Sequence, residues 1–202
     1  MSPQQLILEY WFNGLHDAAV IDKNSPVVRK WFSGGKTIDE EIRDRFADDL
    51  EKAKQGEYQD WMLTAHGRLA LVILFDQFSR NIFRNTARAF EADPLALELT
   101  LNSVDDKMDQ QLPLVQRIFL YLPLMHSEKQ EVQKLSLACF QALVQLSVEK
   151  SPQNTAYYES TLGFARRHHD IIKQFGRFPH RNEILNRPST PEELEFLTRI
   201  LQ

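Results

Sequence analysis

Three short stretches carry the side chains whose types and spacing fit chemistry: Asp76 to Arg84, Leu122 to Glu128, and Phe175 to Asn182. The last reads Phe175-Gly176-Arg177-Phe178-Pro179-His180-Arg181-Asn182, two arginines, a histidine and an asparagine among aromatics, with one Gly and one Pro to shape the backbone. A surface turn needs no such mixture. The pattern predicts a helix ending at Gly176 and a loop pulled back over the body, aiming Arg177, His180, Arg181 and Asn182 at one point. In the first stretch Asp76, Arg80 and Arg84 recur every four residues and so share a helix face, with Gln77, Asn81 and Arg84 as a neighbouring row. An otherwise apolar helix carries such groups inward only with partners, because a buried unpaired charge is very costly. The array is either an Asp76–Arg80 ion pair closing a helix end or a set of donors for an anion or carboxamide. In the middle stretch the spacing puts His126 beside a helix N-terminus, which favours neutral imidazole and attracts anions. Glu128 there either complements the helix dipole or orients the His126 ring for proton transfer.

A fourth element feeds the third stretch. On a helix over Thr155–Phe175, Phe164, His168, Ile171, Ile172 and Phe175 share a face, which points His168 inward and His169 outward. The candidate acid–base groups are therefore His126, Glu128 and His168, with His180 as a substitute. The candidate ligand-binding groups are Asp76, Gln77, Arg80, Asn81, Arg84, Arg177, His180, Arg181 and Asn182. The bland alternative is a buried polar network that fixes helix register. None of the six histidines has a dense metal-ligand spacing, and there is no Gly-rich phosphate loop, nucleophile elbow or C-x-x-C, so neither a metal nor a cofactor is expected.

A net charge of -4 over 202 residues argues against a nucleic-acid binder, even though Arg166, Arg167, Lys173, Arg177, Arg181 and Arg187 fall close together. The partners this chemistry suits are an acidic peptide, a partner protein or a small anionic ligand. The single cysteine, Cys139, excludes an internal disulfide and fits a reducing compartment. It lies on an apolar seam, as a packed thiol would. No secretory signal opens the chain, and the apolar run Leu69 to Phe75 is too short to span a bilayer, so a cytoplasmic location off the membrane is expected. The oligomeric state stays open.

Helices must position these groups. Ser2-Pro3-Gln4-Gln5, Thr37-Ile38-Asp39-Glu40 and Thr190-Pro191-Glu192-Glu193 read as capping boxes. Gly34-Gly35 reads as a break, and Tyr58 to His66 as a helix that Gly67 stops. Arg68 to about Arg84 is the most apolar helix and should be central, with Leu71, Leu74, Phe75, Phe78 and Ile82 as its stripe. Asp93-Pro94 opens a helix with Asp93 as cap. A helix from Pro113 should end near Tyr121, because Pro123 opposes continuation. Ser127 should cap a long helix to about Lys150. Short loops and the absence of a linker predict one all-α domain over residues 1–202, with eight or nine helices.

The residues Tyr10-Trp11-Phe12, Trp31-Phe32, Arg68-Leu69-Ala70, Phe75 to Asn81, Ala89-Phe90, Leu122 to Glu128, Phe175 to Asn182, Arg187, Ser189-Thr190 and Glu192-Glu193 run in order along almost the whole chain. On these the sequence resembles an uncharacterised bacterial family, domain of unknown function 924. The resemblance implies a tetratricopeptide-like array of antiparallel helices and brings no established activity. The family's commonest pattern has Pro where Ser79 stands and Gly where Asn85 and Asn186 stand.

Overall fold

The computed structural model describes residues 1–32 and 35–200. Among them the chain is helical without strands: α1 Pro3–Phe12, α2 Pro26–Phe32, α3 Lys36–Lys54, α4 Ala65–Val72, a π-helical turn Ile73–Phe78, α5 Ser79–Ile82, α6 Asp93–Asp105, α7 Leu114–His126, α8 Gln130–Lys150, α9 Thr155–Phe175 and α10 Pro191–Ile200. Because α4, the π turn and α5 run on as one rod, these make nine rods, within the expected number.

That composite rod is the centre. Leu69 to Leu74 are buried on every side, and Phe78 takes part in an aromatic nexus. Its ring lies 5.4 Å from Trp11 and 4.8 Å from Phe46, while Phe119 of α7 meets Trp11, Phe12 and Trp31 at 5.7, 5.3 and 4.7 Å, mostly edge to face. Trp11, Phe12 and Trp31 are thus core residues. Around the rod, α7, α8 and α9 pack in sequence. Connections as short as residues 127–129 and 151–154 force each helix to run back along the last.

The first and third capping boxes form: Ser2 Oγ accepts from Gln5 N, Gln5 Oε1 from Ser2 N, and the same reciprocal pair joins Thr190 and Glu193. The second does not form. Helix α3 begins at Lys36 without a side-chain cap, and Asp39 is taken by Arg84 and Asn81 instead. The break expected at Gly34 lies outside the described residues. Asp93 does not cap α6 either, since it lies inside the helix after Ala92 and turns its carboxylate to Arg80.

Gly67 does not end a helix. A 3₁₀ turn, Gln59–Leu63, precedes it, Thr64 caps α4, and Gly67 lies in the first turn of α4 where a Cβ would meet the Trp61 carbonyl oxygen at 2.0 Å. Close approach, not punctuation, explains that glycine. Pro123 does not stop α7, which continues to His126. Proline removes its own hydrogen bond to the preceding turn and crowds the carbonyl four residues back, here that of Phe119, and the neighbouring Leu120 carbonyl accepts from the Thr100 hydroxyl at 2.8 Å. Ser127 ends α7 rather than starting α8, so the long helix opens three residues later. Asn85 and Asn186 have φ of 62° and 52°, the left-handed backbone that asparagine tolerates better than most residues and glycine best.

Candidate functional site

The π turn sets the position of Asp76. A π turn takes in one residue more than an α turn and re-aims the side chains on it, and Asp76 ends up only 1 % exposed beneath the end of α7. Its Oδ1 lies 2.7 Å from His126 Nδ1 and 3.3 Å from Arg80, and Oδ2 accepts from Gln77 at 2.6 Å. Burial alone would raise the Asp76 pKa. The Arg80 charge, then His126, and the hydrogen bonds from His126 and Gln77 outweigh it and hold the carboxyl well below the usual range. An ionised carboxylate only accepts, so His126 Nδ1 carries the hydrogen and Nε2 is the nitrogen left to give or take a proton. His126 stands in the last turn of α7, not at a helix N-terminus as the spacing suggested. The expected dipole effect therefore has the opposite sign. Gln133, fully buried on α8, fixes that end by donating to the Met125 and Ser127 carbonyls, both at 2.7 Å.

Arg80 continues the chain of contacts. It makes a two-pronged pair with Asp93 at 2.8 and 3.2 Å, and Asp93 lies 3.7 Å from Arg181. Arg181 is 7 % exposed, with its guanidinium between the rings of Phe90 and Phe178 at 4.8 and 4.5 Å. Its Nε is buried and has no hydrogen-bond acceptor among the described residues. Burial, then the Arg80 charge, lowers its pKa to about 10.

Two histidines lie against Phe178, and one of them also faces His126. His168 lies 5.4 Å from the Phe178 ring and 6.4 Å from His126, and His180 lies 5.5 Å from Phe178. His168 Nδ1 is 2.9 Å from the Phe164 carbonyl, which fixes its hydrogen there and leaves Nε2 as acceptor. Burial lowers the His168 pKa to about 4, helped by the cationic neighbours, so it is neutral at pH 7. The pKa of His180, an exposed residue, is also lowered, by partial desolvation and then by Arg181. The inward stripe of α9 is Tyr158, Leu162, Ala165 and Ile172. Phe164 is 49 % exposed, and the His169 side chain is only 18 % exposed beside Asp170, the reverse of the expected facing of these two.

Of the candidate residues, Asp76, Gln77, Arg80, His126, His168, His180 and Arg181 thus form one connected cluster. Asn81 and Arg84 leave it and converge on Asp39 of α3, Asn81 at 2.8 Å and Arg84 at 2.7 Å. Glu128 does not orient His126. Both its oxygens accept from Arg187, at 2.7 and 3.0 Å, and Oε1 also accepts from Phe178 N at 2.8 Å. Arg177 and Asn182 instead hold Glu193, at 2.7 to 3.2 Å, and Asn182 Oδ1 accepts from Arg187. This second network straps the segment carrying Phe178, His180 and Arg181 onto the ends of α7 and α10. The spacing did not identify Asp93, Asp39 and Phe90 as partners of the arginines. The excess of arginines over local carboxylates was the available signal, but their partners are distant in sequence.

Neither His126 nor His168 is hydrogen-bonded to a hydroxyl or thiol among the described residues, so nothing primes a Ser or Cys nucleophile there. No group of three His, Cys, Asp or Glu among these residues is arranged to hold a metal ion. No described helix is long and apolar enough to cross a membrane.

The model of a family described as bacterial protein of unknown function, DUF924, matches residues 7–200. Among solved structures, a protein of unknown function from Agrobacterium tumefaciens is similar at 34 % identity, covering 96 % of each chain with a TM-score of 0.73. No curated protein matches.

Proposed function

The chain belongs to the bacterial DUF924 family of proteins of unknown function, and we propose that the cluster around Phe178 binds a small carboxylate- or phosphate-bearing molecule and moves a proton on it. The observation that carries this is the buried Asp76 carboxylate 2.7 Å from His126 Nδ1. It holds one imidazole in a single tautomer with Nε2 presented, the arrangement a general base or acid requires. Arg181 would supply the anion contact through its unpartnered Nε edge, and Arg80 would stay committed to Asp76 and Asp93. The neutral His168, its ring 6.4 Å from that of His126, would be the second proton-accepting group. An extended acidic peptide is the weaker candidate, because the donors are sunk in a compact cluster rather than spread along an open row. We place the protein in the cytoplasm on the strength of its lone, unbridged cysteine, and treat residues 1–202 as one domain around a connected apolar core.

A thermal-shift screen of carboxylate and phosphate metabolites against the wild type and Arg181→Lys tests the reading. A ligand should raise the wild-type Tm in a concentration-dependent way and lose most of that effect in the variant. His126→Gln should keep its Tm and abolish turnover of the ligand so found. If no anion shifts the Tm and His126→Gln unfolds as readily as Asp76→Ala, the cluster is a structural network and the proposal fails.

A further inference from the structure

A cavity of about 340 Å³ lies apart from this cluster, where the 3₁₀ turn Met108–Gln111 meets α7 and α8. That is near the lower end of the ~300–1,000 Å³ range of small-molecule sites. Its wall carries two buried, opposite charges that are not paired with each other. Asp109 is 8 % exposed; its Oδ2 accepts from the Tyr121 hydroxyl, while Oδ1 is buried and accepts nothing among the described residues. Arg117 is 5 % exposed and spends Nε and Nη2 on the Leu112 and Gln110 carbonyls, at 2.9 and 2.7 Å. None of the ion pairs among the described residues involves Arg117, and its Nη1 makes no hydrogen bond among them. Leu143 and Leu146 supply an apolar side, and Lys150 stands exposed at the rim.

A buried acceptor without a donor and a buried cation without a carboxylate are each costly alone. One ligand satisfies both if it carries an ammonium and a carboxylate on the same carbon. We propose that this cavity binds a free apolar α-amino acid as its zwitterion, with the ammonium on Asp109 Oδ1, the carboxylate on Arg117 Nη1 and the side chain against Leu143 and Leu146. A plain carboxylic acid would leave Asp109 without a donor, and a plain amine would leave Arg117 without an acceptor. The charge pattern therefore selects the zwitterion over either half.

Isothermal titration of the full chain with L-leucine, isopentylamine and 4-methylpentanoate tests this. Leucine should bind saturably, and each half-molecule should bind at least about tenfold more weakly, since each lacks one charge-assisted hydrogen bond. Asp109→Asn, which keeps the shape but removes the charge, should weaken leucine by a similar factor. Ala142→Trp, which fills the cavity from an exposed helix position, should abolish binding at unchanged Tm. If that variant fails to fold, the Asp109→Asn titration decides. No saturable leucine binding, an acid or amine that matches leucine, or full affinity in either variant would overturn the assignment. A loss at this cavity leaves the His126 cluster unaffected, so the two proposals fail separately.

Discussion

Glu128→Ala should damage stability rather than chemistry, and the size of the loss follows from its contacts. The carboxylate accepts three hydrogen bonds, two from Arg187 and one from Phe178 N. Charge-assisted bonds of this kind are worth about 1.5–3 kcal/mol each when removed singly, and they are not additive. Two features reduce the total. The Arg187 and Glu128 side chains are 24 % and 27 % exposed, so water reaches what is left behind, and Arg187 keeps the Asn182 Oδ1 and Phe178 carbonyl contacts. We expect a loss of about 2–4 kcal/mol, below the ~3–5 kcal/mol typical of breaking a fully buried pair. In a chain of this length that lowers Tm by roughly 4–16 °C. Urea melts of Glu128→Ala, Arg187→Ala and the double variant should share one m-value and give a coupling free energy of about 1–3 kcal/mol. A Tm within about 2 °C of wild type, or purely additive single losses, would show that the strap over Phe178 contributes nothing to folding, and the reasoning would be refuted.

The other expectations are simpler. Cationic and hydrogen-bonding partners outweigh burial and leave the carboxyl pKa values of Asp39, Asp76, Glu128 and Glu193 lower than in the unfolded chain. The unfolded state therefore binds more protons below about pH 4.5. Stability should begin to fall below about pH 6.5, where the unfolded chain protonates His168 and His180, which the fold keeps neutral down to about pH 4, and fall again below about pH 4.5 with the carboxylates, the Glu193 contribution persisting to about pH 2; urea midpoints between neutral pH and pH 2.5 would show it. Gly67→Ala should cost about 3 kcal/mol or more, because its methyl would overlap the Trp61 carbonyl in a helix with no room to shift; calorimetry measures it. Burial raises the Cys139 pKa to about 12, so at pH 8 the thiol should react with Ellman's reagent far more slowly than a free peptide thiol, and at the normal rate in urea.

What the sequence made legible were features encoded locally. Two of three capping boxes, the Gly176 stop and the apolar stripe centred on Phe78 are set by neighbours within a turn or two, and they appeared where expected. Thr37 fails as a cap because α3 already starts at Lys36, which leaves Thr37 inside the helix, and Asp39 is claimed by Arg84 from 45 residues away. Glu128, two residues from His126, is by spacing either a dipole complement or the group that orients that ring, yet a π turn brings Asp76 to the imidazole from 50 residues away. Proximity along the chain is a poor guide to which carboxylate meets which base. Pro123 illustrates a different error: a proline weakens one backbone bond, and packing of Leu120, Tyr121, Leu124 and Met125 on both sides is enough to carry the helix through.

The π-helical turn at Ile73–Phe78 has a consequence for how this chain tolerates change in length. Losing one residue there would let the rod relax to an unbroken α-helix. Everything downstream on it would keep its phase, because the π turn closes one turn with one residue more than an α turn, while the side chains within the turn would be re-aimed and Asp76 taken off His126. Most conservative exchanges of side chain within the turn leave that phase intact. A one-residue deletion within these six positions should therefore leave the fold standing, whereas one in the α-helical residues on either side would swing the downstream face by about 100°, and a library of single-codon deletions would map the turn as a tolerant stretch between intolerant flanks.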